Sequence, residues 1–218
     1  MSEFKVGDPV LLTLDSPGPV GITEGLKHYQ DMRFRISRVR TIQGGKAKVG
    51  GNIYLNGGQF RQNDGMVTGG TATSQGGNVS VSDGTYTLAG GSVENGCITV
   101  DGAGNVDVRS AGTLIVTGGT MKGGYRQGGN NEPKCNVFAV NGTVEVTGGD
   151  IEGGVTVYGG SGKLKVGKAA KIVSEGKAAA DLLSGAQLMV TEPFEAGASV
   201  VISSKVNTKL AATADRAW

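Results

Sequence analysis

GGNIYLNGGQFRQNDGMVTGG, residues 50–70, is followed after five linking residues by GGNVSVSDGTYTLAGGSVENG, residues 76–96. A shift of 26 positions lays the first copy on the second. Gly50, Gly51 and Asn52 fall on Gly76, Gly77 and Asn78. Gly58 falls on Gly84, Gly65 on Gly91, Val67 on Val93 and Gly70 on Gly96. A period of this size marks a solenoid, in which each repeat buries its apolar face only against its neighbours.

Working outward, NVDVRSAGTLIVTGGTMKGG (105–124) and NVFAVNGTVEVTGGDIEGG (136–154) are a third and a fourth copy. Earlier, Phe34 and Ile36 stand 26 positions before Phe60 and Gln62, and Ile42 stands in for Val67. Apolar columns follow: Ile53, Val79, Val106 and Val137; Leu55, Val81, Val108 and Ala139; Phe60, Tyr86, Leu114 and Val144; Val67, Val93, Met121 and Ile151. A fifth, Leu88, Val116 and Val146, is broken by Gln62. Polar residues alternate with these, as Arg33 and Arg35 do around Phe34, which predicts strands with one face inward. Gly58, Gly84, Gly112 and Gly142, and separately Gly65, Gly91, Gly119 and Gly149, read as corners needing positive φ. Asn52, Asn78, Asn105 and Asn136 form a further column, and an asparagine amide can bond its counterpart one coil away. An asparagine ladder is expected there.

The expected fold is an all-β, right-handed parallel β-helix of six or seven coils, usually with three short strands per coil. Residues 1–31 are read as an N-terminal cap, with a short helix from Thr23 to about Met32 presenting Leu26, Tyr29 and Met32 on one face. Residues 32–204 hold the repeats. After Gly154 the pattern loosens, and Val155, Val157, Leu164, Val166, Ile172, Leu188, Val190, Phe194, Val200 and Ile202 are placed in the last coils. Residues 205–218 are read as a tail or linker.

Bulk properties narrow the function classes. Glycine makes up 40 of 218 residues without a triplet period, so the chain is not collagen. A net charge of +2 and an aromatic share of 5% argue against nucleic acid as a partner. No apolar run is long enough to span a membrane. The start MSEFKVGDPV carries no signal-peptide pattern. Cys97 and Cys135 are too few for a disulfide framework or a zinc site. They lie at opposite ends of successive loops, so a bond between them requires Cys135 to fold back; if formed, it marks an exported chain.

GGN at Gly50–Asn52 and Gly76–Asn78, TGGT at Thr68–Thr71 and Thr117–Thr120, and the segment Ser184–Ser199 resemble the β-helix repeats of large Gram-positive, often gut-bacterial, cell-surface proteins. The resemblance covers residues of about 40–203. It implies a secreted or surface-exposed fragment of a larger multidomain protein, monomeric, serving as a stalk, adhesin body or carbohydrate-associated module. A glycan or matrix protein is the partner it implies; no cofactor or metal is expected.

The stretch from the Val67-type column to the next coil varies as 11, 12, 13, 16 and 4 residues. One edge therefore carries loops of changing length, and such an edge is either a binding face or surface that tolerates drift. On its longest loop, Lys122–Asn136, the residues Tyr125, Arg126, Asn130, Asn131 and Glu132 combine a flat apolar ring with hydrogen-bonding groups. They are the candidate ligand contacts. A β-helix enzyme would need convergent carboxylates. Asp64, Glu94, Asp101, Asp107, Glu145, Asp150 and Glu152 share no column, and Asp107 and Glu145 are read as outward and solvated. The Gly102–Asp107 stretch faintly resembles a calcium turn, occurring once. The lone His28 is read as an ordinary surface or packing residue, and the Arg35–Arg61 column as a solubilising stripe or an anion grip. No catalytic residue is assigned. A non-enzymatic surface module is the leading expectation, a carbohydrate-active β-helix the alternative, and a trimeric fibre segment a weaker third.

Overall fold

A computed structural model describes residues 11–14, 19–21, 26–28, 33–36, 41–100, 102–127, 136–174, 179–204 and 210–212. Before residue 41 and beyond residue 202 the description is of backbone pairing. The chain forms a parallel β-solenoid of about six turns, all-β, with no helix among the described residues.

Each turn presents three main faces. On the first, 53–55 of the strand Ile53–Gln62 stacks on 79–81 of Val79–Leu88, then on Val106–Arg109, Val137–Val140, Val155–Tyr158 and Ala180–Leu183. The second half of each ten-residue strand turns onto the second face, where Phe60, Tyr86, Leu114, Val144, Leu164 and Leu188 are register partners. The third face stacks Ile42, Val67, Val93, Met121, Ile151 and Ile172. Period-two alternation is the cause: in Ile53–Gln62 the inward residues are buried and most of those between them reach the surface. The inward columns form one continuous core, sealed from Ile42 to Leu188. A fourth, short sheet of Lys46–Val49, Thr71–Gln75, Cys97–Ile98 and Tyr125–Arg126 lines the variable-loop edge. The repeat spacing alone reads that edge as loops of unequal length.

Parallel pairing is also present before the first glycine-marked repeat. Leu11–Leu14 pairs with Arg33–Ile36, Pro19–Gly21 with Thr41–Gln43, and Leu26–His28 with Ile53–Leu55. Residues 26–28 are thus a strand, in place of the expected helix from Thr23 to Met32. Three apolar residues at helical spacing are weak against an open parallel edge that demands partners. The flanking residues 22–25 and 29–32, and 1–10, lie outside the described set. At the other end Leu210–Ala212 pairs with Leu188–Val190, so the ladder enters the segment read as a tail. Phe194, placed among the last core residues, is 44% exposed, beyond an irregularity in the register with the preceding strand.

Corner chemistry also differs from the reading. Gly65, Gly91, Gly119 and Gly149 all take positive φ, between 72° and 77°. In the other glycine column only Gly58 and Gly84 do so. At the later corners Ser110 (φ 47°) and Asn141 (φ 57°) take the left-handed turn instead. Gly112 is kept small by proximity, since a Cβ there would meet the Val81 carbonyl oxygen of the preceding coil.

Gln62, the break in the fifth column, is fully buried, and its cause is on the next coil. The Tyr86 hydroxyl donates to Gln62 Oε1 at 2.6 Å, and Gln62 Nε2 donates to the carbonyls of Gly65 and Ser92 at 3.0 Å each. Burial pushes the Tyr86 phenol far up, so it remains a donor. A buried hydroxyl left without its acceptor costs about 1–3 kcal/mol. Gln62→Leu is therefore expected to destabilise by about that amount, and adding Tyr86→Phe to recover part of it. Urea unfolding of the two variants checks this; a double variant no better than the single one contradicts the pairing.

Candidate functional site

Four asparagines connect the first face to the variable-loop edge. Asn52, Asn78, Asn105 and Asn136 are buried at the corner before the first face. Asn52 Nδ2 donates to Asn78 Oδ1 and Asn78 Nδ2 to Asn105 Oδ1, both at 2.8 Å, and Asn105 Nδ2 donates to Asn136 Oδ1. Each Oδ1 also accepts a backbone N–H, from Gly45, Gly70, Gly96 and Gly124 at 2.8–3.0 Å. Each Nδ2 donates to a backbone carbonyl, of Thr68, Glu94, Lys122 and Glu152 in turn. Gly70 has no room for a Cβ there: one would lie 2.8 Å from the side-chain atoms of both Asn52 and Asn78. The ladder fixes where every variable loop leaves and re-enters the prism.

Of the candidate ligand contacts, Tyr125 and Arg126 sit half-buried in the short fourth sheet. Asn130, Asn131 and Glu132 lie outside the described residues, as does Cys135. Tyr125 is the register partner of Cys97, and its amide donates to the Gly96 carbonyl at 3.0 Å. Partial burial raises the Tyr125 phenol, and the neighbouring Cys97 thiol adds to that. Cys97 carries a free, buried thiol, 3.9 Å from Gln127 Oε1. The backbone of the fourth sheet thus holds this edge, and Tyr125 is spent partly on packing.

The carboxylates are distributed along the prism. Glu94 pairs with Lys122 at 3.7 Å, Glu145 with Lys165 at 3.5 Å and Asp150 with Lys171 at 3.4 Å, each between register-paired residues of adjacent strands. Asp101 lies outside the described residues. A hollow of about 250 Å³ beside Glu152, Gly153, Lys171, Val173 and Ser174 has one carboxylate in its wall. Among the described residues no group of three or more His, Cys, Asp or Glu side chains could hold a metal ion.

Asp107 corrects the sequence reading. It stands at an outward position yet is fully buried, because the Gly102–Ala103–Gly104 stretch folds over it. Its two oxygens accept from Nε and Nη2 of Arg109, the latter at 2.8 Å, and the Ala103 amide adds a further bond. The Arg109 guanidinium lies 5.4 Å from the centre of the Phe138 ring. The stretch that faintly resembled a calcium turn is thus a lid whose carboxylate is already used. No pattern in the sequence marks such a covering, since period two reports only the side of the strand.

The chain matches no protein-family model, no curated protein and no solved structure.

Burial raises the Asp107 carboxyl, outweighing the lowering by Arg109 and the Ala103 amide. With the folded pKa above the unfolded one, the stability it contributes is present below the ordinary carboxylate range and lost as pH rises through the folded value. Asp107→Asn removes that titration. Its stability relative to the parent is expected to improve as pH rises upward from about 4, read from urea midpoints at a series of pH values. A relative loss over the same range would mean that Arg109 dominates.

Proposed function

We propose that the chain is a non-enzymatic, rigid solenoid module, serving as a stalk or adhesin body of a secreted or surface-exposed bacterial protein. The observation that carries this reading is the disposition of the outward acids. Glu94, Glu145 and Asp150 each meet a lysine on the neighbouring strand, and Asp107 meets Arg109. General acid–base cleavage of a glycan needs two carboxyl groups facing one bond. Carboxylates paired off along a prism stiffen and solubilise a surface instead. The sealed core running the length of the stack supports the mechanical part of the reading, since each turn is held by both neighbours. A glycan or matrix protein remains the partner class of the adhesin form, with the loop edge around Tyr125 and Arg126 as its proposed contact.

Incubating the protein with host and plant polysaccharides and matrix proteins, with mass spectrometry of the soluble fraction, tests this. No new fragments are expected from any of them. Time-dependent fragments that vanish on heat denaturation would overturn the reading in favour of a carbohydrate-active β-helix.

A further inference from the structure

The outward side of the first face changes character along the stack. Arg109, Val140, Tyr158 and Leu183 are successive register partners at one outward position. Asp107, Phe138, Thr156 and Asp181 are partners at the adjacent one. In the later coils the first of these columns is apolar for three strands running, Val140, Tyr158 and Leu183, whereas equivalent outward positions of the second and third faces carry mostly Thr, Lys, Glu and Asp. Tyr158 is 44% exposed, the open centre of the stripe. Successive strands are about 4.8 Å apart, so the stripe is short and flat.

Beside the stripe stands a carboxylate without a counter-charge. Glu94, Glu145, Asp150 and Glu192 each have a lysine on an adjacent strand. The neighbour of Asp181 on the preceding strand is Thr156, and among the described residues no cation pairs with Asp181. Asp181 lies one outward position from Leu183 and diagonal to Tyr158. A carboxylate on the same outward surface as an exposed aromatic ring favours a cation, through Coulomb attraction and the ring quadrupole together. The flanking Val140 and Leu183 suit an aliphatic stem leading to that cation.

We propose that this patch, Val140, Tyr158, Asp181 and Leu183, docks a segment of a partner protein bearing a lysine or arginine flanked by apolar residues. The charge comes from the partner, and the apolar stripe holds the stem and its neighbours. This places a recognition surface on a flat sheet face, away from the variable-loop edge. It goes beyond the stalk reading without depending on it, because the fragment assay above reads a different property.

The test is a titration of the isotope-labelled protein with the probe peptide acetyl-Leu-Lys-Leu-amide, followed by NMR. Acetyl-Leu-Gln-Leu-amide serves as the uncharged control and maltohexaose as the glycan control. Saturating shifts confined to the backbone around 138–140, 156–158 and 181–183 are expected with the lysyl peptide, at a Kd of about 1 mM. Affinity should drop about tenfold in Asp181→Asn, which keeps the side-chain shape, and should fall with added salt. Tyr158→Ser should weaken it independently. Both side chains point outward, so both variants keep the fold. Equal shifts from the glutamine peptide, shifts located elsewhere, no shifts at all, or binding by maltohexaose alone at this face would each overturn the proposal.

Discussion

Everything in this chain depends on satisfying the backbone at one corner. The glycines Gly45, Gly70, Gly96 and Gly124 at this corner are buried, and a buried amide without an acceptor costs about 1–3 kcal/mol. The asparagine stack answers that constraint. Asn52, Asn78, Asn105 and Asn136 each accept a glycine N–H and donate to a carbonyl, and three of them donate to the next asparagine as well. Such a network polarises along its length and pins the register of successive turns. Register in turn decides which side chains enter the core, because a slip of one residue would reverse every face. The ladder ends where the repeat tightens: the first-face strand that stacks on Val137–Val140 begins at Val155, four residues beyond Ile151, and Gly154 occupies the corner.

With the corner fixed, the sheet faces are free to differ. Gln62 is tolerated in the buried part of the core columns because Tyr86 on the next coil can meet it. The outer columns vary far more, and there any recognition would be built. Loops of unequal length leave from the ladder corner, Glu94, Glu145 and Asp150 of the second and third faces pair with lysines, and the first face turns apolar in its later coils. These features coexist because each turn contacts only its neighbours, so a change on one outer column does not propagate through the stack.

The core was readable because the two signals that define it are both written in spacing. The 26-residue shift placed Phe34 on Phe60 and Phe60 on Tyr86, and those are register partners. Alternation then separated inward from outward residues. What spacing cannot express was missed. Asp107 is buried by a covering stretch that belongs to no repeat. Ser110 and Asn141, and not the glycines nearby, take the left-handed turn at their corners, which the glycine columns do not reveal. Leu26–His28 becomes a strand because a neighbouring edge recruits it, a tertiary cause absent from its own residues. The site was less legible than the core for the same reason: Tyr125 and Arg126 were chosen for their chemistry, and the fourth sheet that holds them has strands of only two to five residues.

Native-state hydrogen exchange at the ladder corner tests the central claim most directly. The amides of Gly45, Gly70, Gly96 and Gly124 lie outside the strands, where exchange is ordinarily fast, yet each donates to a buried asparagine. If the ladder holds the solenoid together, these four amides exchange as slowly as those of the core strand Val79–Leu88, through global unfolding alone. Exchange at the rate of open loops would show that the corners breathe independently, and that apolar stacking without the asparagines sets the register.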